Sequence, residues 1–134
     1  MADSAEKSLQ VELVAADRLV WSGRSTMVIA RTTEGDVGIL PGHAPLLSAI
    51  IEGVVDVQTA EGETWIAAVD AGFLSVADDR VSILAERAEM SHEIDLEKAR
   101  QDLERARSSG EDDDAAQEAV RRAEARVRAV ERAR

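Results

Sequence analysis

Cysteine is missing from the 134-residue chain, which excludes disulfides, thiolate metal sites and Cys-based catalysis together. Aromatic side chains are nearly missing too. Trp21, Trp65 and Phe73 make up the 2%, too few to interleave with cations as a stacking platform for single-stranded bases. No run approaches the roughly 20 apolar residues of a membrane span, and residues 1–8 lack the apolar core of a signal peptide. The chain is therefore expected to have no membrane span and, left to itself, to stay in the cytosol. Bases are outnumbered, with 16 Lys and Arg against 27 Asp and Glu and a formal charge of -11. That field repels phosphate, so no nucleic acid is expected as a partner.

What remains suits one small domain, 45% apolar but with Ala and Val supplying much of the core. Across residues 9–86 short apolar runs are separated by turn residues, the rhythm of a β-sandwich or barrel. Val11 and Leu13 alternate with Glu12 and Val14, and Ala16-Asp17-Arg18 turns the chain into Leu19-Val20-Trp21. Residues 27–30 and 37–40 flank a turn at Thr33-Glu34-Gly35-Asp36. Pro41 and Pro45, the two prolines, bar the segment around His43 from a central strand and make it an ordered loop or sheet corner. Residues 54–59 and 64–69 form a hairpin about Ala60-Glu61-Gly62-Glu63, and residues 72–76 and 81–84 repeat the pattern. The expectation is an all-β sandwich of about nine to ten short strands over residues 1–90.

From Ile94 onward Ala, Glu and Arg dominate and proline is absent, which favours helix. Ser91 or His92 is expected to precede the first helix, with Asp95 and Glu97 near its positive end. Leu96, Ala99, Leu103 and Ala106 share one helical face, as do Ala116, Val120, Ala123, Val127 and Val130 further on. Between them Ser108-Ser109-Gly110-Glu111-Asp112-Asp113-Asp114 breaks the helix, with Gly110 placed for a C-terminal cap and Asp114 for the next N-cap. An antiparallel α-helical hairpin over residues 91–134 is the result. Its last stretch, residues 115–134, is locally basic, with six Arg against Glu118, Glu124 and Glu131.

The hairpin seam is Ala and Val, burial contributes only about 0.8 kcal/mol per CH₂, and each helix is taken to be near the roughly 12–15 residues at which isolated helices are marginal. Two readings follow: a conformational switch that a partner or ligand can bias, or a permanently docked lid. Catalytic signatures are lacking. His43 and His92 fit no metal-ligand spacing, no Ser sits in a G-x-S-x-G elbow, and Gly35-Asp36-Val37-Gly38 lacks the Lys of a phosphate loop. Neither a catalytic residue nor a metal site is expected. His43, amid rigid punctuation and apolar groups, belongs either to a protein-docking surface or to an internally packed corner.

The run Gly35-Asp36-Val37-Gly38-Ile39-Leu40-Pro41-Gly42-His43-Ala44-Pro45-Leu46-Leu47, followed by Gly72-Phe73-Leu74 and the junction from Ala88-Glu89 to Ile94-Asp95, resembles the epsilon subunit of F-type ATP synthases. The likeness extends over nearly the whole chain in the same order. It implies a non-catalytic central-stalk subunit, peripheral to the cell membrane on its cytoplasmic side, linking the gamma subunit to the c ring and coupling proton flow to ATP synthesis. It also implies that Asp36 and His43 lie where the sandwich meets the c ring or gamma subunit. No cofactor is required by the resemblance.

The resemblance further implies a C-terminal hairpin that restrains ATP hydrolysis by extending to the alpha and beta subunits, for which Arg121, Arg122, Arg126 and Arg128 are the candidate contacts. Ordinary helix pairing is the alternative for these residues, Glu118 with Arg122 and Glu124 with Arg128 at i,i+4. Some members bind ATP in the folded hairpin through an Ile-Asp-x-x-Arg-Ala motif and further arginines. Here the motif reads Ile94, Asp95, Lys98 and Ala99, with Arg105, Arg122 and Arg126 at the spacing of the others. Lys98 replaces a planar fork by a point charge, so ATP is at most a weak regulatory ligand on this reading.

Overall fold

Nine strands, a 3₁₀ turn and two helices make up the residues described by the computed structural model, 7–110 and 112–133. The strands are β1 (Leu9–Ala15), β2 (Arg18–Thr32), β3 (Gly35–Ile39), β4 (Leu46–Ile50), β5 (Gly53–Thr59), β6 (Thr64–Val69), β7 (Gly72–Ala77), β8 (Arg80–Ala85) and β9 (Ala88–Met90). The 3₁₀ turn spans Ser91–Glu93, and α1 (Leu96–Arg107) and α2 (Asp114–Ala133) complete the chain. The all-β sandwich followed by a helical pair is the expected fold.

β2 departs from the expected pattern. The runs at residues 19–21 and 27–30 join into one strand of 15 residues, because the polar stretch between them holds a bulge and not a turn, between Ser25 and Met27. Ser25 is fully buried there, its hydroxyl donating to the Gln58 carbonyl at 2.6 Å and accepting from the Met27 N–H at 3.1 Å. The bend lets β2 serve both layers: its first half pairs β1, its second half β3 and β5. One layer runs β4-β7-β8-β1-β2 and the other β3-β2-β5-β6-β9, with β1–β8 the parallel pairing among the described ladders. Leu46 and Leu47, read from sequence with the proline-flanked loop, begin β4.

Between the layers lies a core from all nine strands, with Leu9, Leu13, Val28, Ile39, Leu74 and Ile83 among its most buried members. β5 and β6 are buried on both faces. Val55, Val57, Ala67 and Val69 point into the sandwich, while Val54, Ile66 and Ala68 meet Ile94, Ala99, Ala125 and Ala129 in a second, smaller cluster. That double burial explains why residues 66–69 are apolar without alternation.

The helices run antiparallel, as the ion pairs Arg100–Glu131 at 3.2 Å and Arg107–Glu124 at 3.1 Å require. α1 has 12 residues, at the marginal length, but α2 has 20 and exceeds it. Asp95 caps α1 by accepting the Lys98 N–H at 3.2 Å. The N-cap of α2 is Asp113 and not Asp114, since the Asp113 carboxylate accepts the Ala116 N–H at 2.8 Å; Glu111 lies outside the described residues. Gly110 holds a φ of +77° in the connecting loop, where an L side chain would be strained. No helix among the described residues is long and apolar enough to cross a membrane.

Candidate functional site

Four arginines of α2 tie the hairpin to acids on the β5–β6–β9 face. Arg121 Nε lies 2.9 Å from Glu52 Oε1, Arg122 Nε 3.1 Å from Asp70 Oδ2, Arg126 Nε 2.8 Å from Glu89 Oε1, and Arg132 Nη1 2.9 Å from Asp56 Oδ1. The acids occupy the turn before β5, β5 itself, the end of β6 and β9, all on the helix side of that layer. Glu52 is almost sealed, with its side chain 4% exposed. Arg126 also donates to Asp102 of α1 at 3.3 Å, so one guanidinium joins sheet, first helix and second helix. Neither Glu118–Arg122 nor Glu124–Arg128 forms as an intrahelical pair. Arg122 turns to Asp70, Glu124 takes Arg107, and Arg128 stays exposed.

Asp70 is shared. Arg122 and, at 3.4 Å, Arg87 both reach its Oδ2. Burial pushes its carboxyl above the usual aspartate range despite both arginines, which pull the other way. A cleft of about 410 Å³ opens beside it, lined by Asp70, Arg87, Glu89, Asp102, Arg122 and Arg126 together with alanines from β6, α1 and α2. Its charge is balanced, three arginines against three carboxylates.

The nucleotide-motif residues are only partly brought together. Arg122 and Arg126 line the cleft, whereas Lys98 is exposed, and Arg105 faces outward on α1, paired with Asp102 at 3.0 Å. Ile94 and Ala99 are buried in the small cluster beneath the hairpin, and Asp95 is occupied as the helix cap. Sequence reasoning missed the four acidic partners Glu52, Asp56, Asp70 and Glu89 entirely. A usable signal was present in α2, where Ala125 and Ala129 at i,i+4 are bracketed by Arg121, Arg122 and Arg132. They form a second face, distinct from the seam with α1.

Asp36 and His43 sit away from the hairpin, on β3 and in the loop that follows it. Asp36 is exposed on β3, and His43 is half-buried in the proline-flanked loop, its Nδ1 2.6 Å from the Ala44 carbonyl. That loop is held from the β7–β8 turn, where Asp79, with a φ of +61°, accepts the Gly42 N–H at 2.7 Å. On the outer face of the first layer the register places Ala49, Phe73, Leu84, Val14 and Leu19 side by side across five strands. Phe73 is 57% exposed and Leu19 and Leu84 similarly so. A continuous apolar row facing solvent is the mark of a docking surface.

The comparisons agree with this architecture. Residues 8–91 match the family model described as the ATP synthase delta/epsilon chain, beta-sandwich domain. The ATP synthase epsilon chain of Streptomyces griseus is 58% identical over 122 residues, covering 91% of this chain and 94% of that one. That of Nocardia farcinica is 47% identical over 132 residues, covering 98% and 96%. Among solved structures, a chain of the mitochondrial ATP synthase of Euglena gracilis, in an assembly of OSCP, F1 and c-ring, aligns with a TM-score of 0.77 at 26% identity, covering 99% of this chain and 85% of that one. Sandwich, helical pair and relatives together show that the chain belongs to the family of ATP synthase epsilon chains, a subunit of that complex and not its catalytic one.

Proposed function

We propose that the chain is a central-stalk rotor subunit of the proton-driven F-type ATP synthase, peripheral to the cytoplasmic side of the cell membrane, whose sandwich joins the gamma subunit to the c ring and whose hairpin restrains ATP hydrolysis. The observation that carries this reading is the way α2 is held, by arginines on sheet carboxylates around an alanine stripe. Alanine contacts bury little area. The ion pairs exchange the hydration of Glu52 and Asp70 for pairing, an exchange that nets little because desolvation offsets attraction. Docked and extended hairpins are therefore separated by a few kcal/mol, a gap that binding to a partner can reverse. Extension frees Arg121, Arg122 and Arg126 together, beside the already exposed Arg128, to meet acidic surfaces of the alpha and beta subunits.

The apolar row through Phe73 and Leu84 suits the gamma subunit, and the Asp36 and His43 edge suits the polar loops of the c ring. Asp36, exposed, contributes about 0.2–1 kcal/mol through one ion pair, which sets register more than affinity. Reconstitution with a chain ending at Met90 tests the regulatory part: assembly unchanged and ATP hydrolysis raised is the expected result, and equal hydrolysis removes the inhibitory role.

ATP as a weak regulatory ligand is a second reading, favoured by the three arginines lining the cleft. A triphosphate there has to displace Asp70, Glu89 and Asp102, so Glu89→Gln and Asp102→Asn are both expected to tighten ATP binding in calorimetry. Titrations that stay flat for both variants exclude the site.

A further inference from the structure

The junction between sandwich and hairpin is built unevenly. Arg18, at the start of β2, grips Glu93 with both ends of its fork, Nη1 to Oε2 at 3.0 Å and Nη2 to Oε1 at 3.1 Å, while Nη2 also reaches the Ala88 carbonyl at 3.3 Å. Glu93 Oε1 in turn accepts the Met90 N–H at 2.9 Å. The ring of His92 meets Trp65 of β6 edge-on, with centroids 5.9 Å apart, and the Ile94 N–H closes the 3₁₀ turn on the Ser91 carbonyl at 3.2 Å. The Arg18 clamp, the Met90 N–H and the Trp65 ring tie this segment to the sheet, and the Ile94 N–H closes the turn on itself.

From Asp95 the bonding faces forward. Its side chain accepts the Lys98 N–H at 3.2 Å and its carbonyl the Ala99 N–H at 2.9 Å. No hydrogen bond among the described residues uses the Ile94 carbonyl or the Asp95 N–H. Ile94 (φ −93°, ψ 128°) and Asp95 (φ −81°, ψ 110°) are both extended, so rotation there breaks neither the turn nor the helix cap.

We infer that the hairpin pivots at the Ile94–Asp95 peptide, and that the Ser91–Glu93 turn, clamped by Arg18, stays with the sandwich when the helices leave. This deepens the regulatory reading and rests on it for the motion, but it places the joint beyond the end of β9, where the strand pattern alone would have put it.

Hydrogen exchange of the full-length chain across a urea series tests it. The Met90 and Ile94 amides are expected to exchange with those of the strands, and the Lys98 and Ala99 amides with α2, at least tenfold faster at low urea. Glu93→Gln is expected to move Met90 and Ile94 into the faster group while Val28 and Val55 are unchanged. Ile94 exchanging with Ala99 in the wild type, a single exchange group for the whole chain, or no response to Glu93→Gln overturns the pivot. No hydrolysis is read in this experiment, so a misplaced pivot leaves the inhibitory role standing, and loss of that role leaves the pivot standing.

Discussion

Arg126 concentrates the hold on the hairpin in one side chain, because among the described residues it alone reaches from α2 to both the sheet and α1. Arg126→Gln is expected to weaken docking by about 1–3 kcal/mol, the usual range for a charged hydrogen bond with a partly buried partner. Faster exchange of α2 amides, with strand amides unaffected, is the measurement that checks it. Two carboxylates respond to acid in opposite directions. Glu93 is held below the usual glutamate range by Arg18 and by the Met90 N–H, so its contribution is complete above 4.5 and is lost as pH falls through the depressed value. Asp70 is raised by burial, so its ionisation disfavours the folded chain increasingly as pH climbs from 3.8 through the raised value. The stability of Asp70→Asn relative to wild type should therefore rise with pH between about 3 and 7 in urea melts, and a flat or falling difference contradicts the assignment. Individual residues were also where the sequence was least legible. The arginines stand out as a basic helix, but their partners come from acids spread over residues 52–89, and nothing local marks Glu52 or Asp70 among the other acids.

Whole elements were easier to read. Period-two alternation and turn residues locate β1, β5, β7 and β8, the turn at residues 60–63 locates β6, and the switch to Ala, Glu and Arg locates both helices, because each signal acts within a few residues. Failures came where pairing across the sheet decides. A bulge at Ser25 fuses two runs into β2, and β9 has three residues and exists because β6 offers it an edge. Gly72 shows the same dependence on close approach. A Cβ there falls 1.8 Å from the Leu84 carbonyl oxygen, so Gly72→Ala is expected to force β7 and β8 apart and destabilise the sandwich by about 1–3 kcal/mol or more. A lowered denaturation midpoint checks this, and an unchanged one shows that the strand shifts freely. β5 and β6 carried a further clue. Near-continuous apolarity in residues 66–69 signals a second buried face, and thus a layer of helices on that side.

At the scale of the whole molecule the proposed function divides the chain into a rigid part and a releasable one. The main core draws on Leu, Ile and Val from β1 to β8 and on Ala88 and Met90 from β9, whereas α2 brings alanines and ion pairs to the smaller contact with Val54, Ile66 and Ile94 beneath the hairpin. Ion pairs at partly exposed positions are screened by salt, so high ionic strength is expected to speed exchange of α1 and α2 while leaving the strands protected. The apolar row through Phe73 and the hairpin contact lie on different layers of the sandwich, so the proposed function predicts that the sandwich keeps its partners while α2 moves. The most direct measurement is photo-crosslinking from positions 121 and 126 in the intact ATP synthase, with and without ATP. Adducts to the chain's own sandwich in one condition and to the alpha and beta subunits in the other are expected; adducts confined to the sandwich in both would show that the hairpin is a fixed lid.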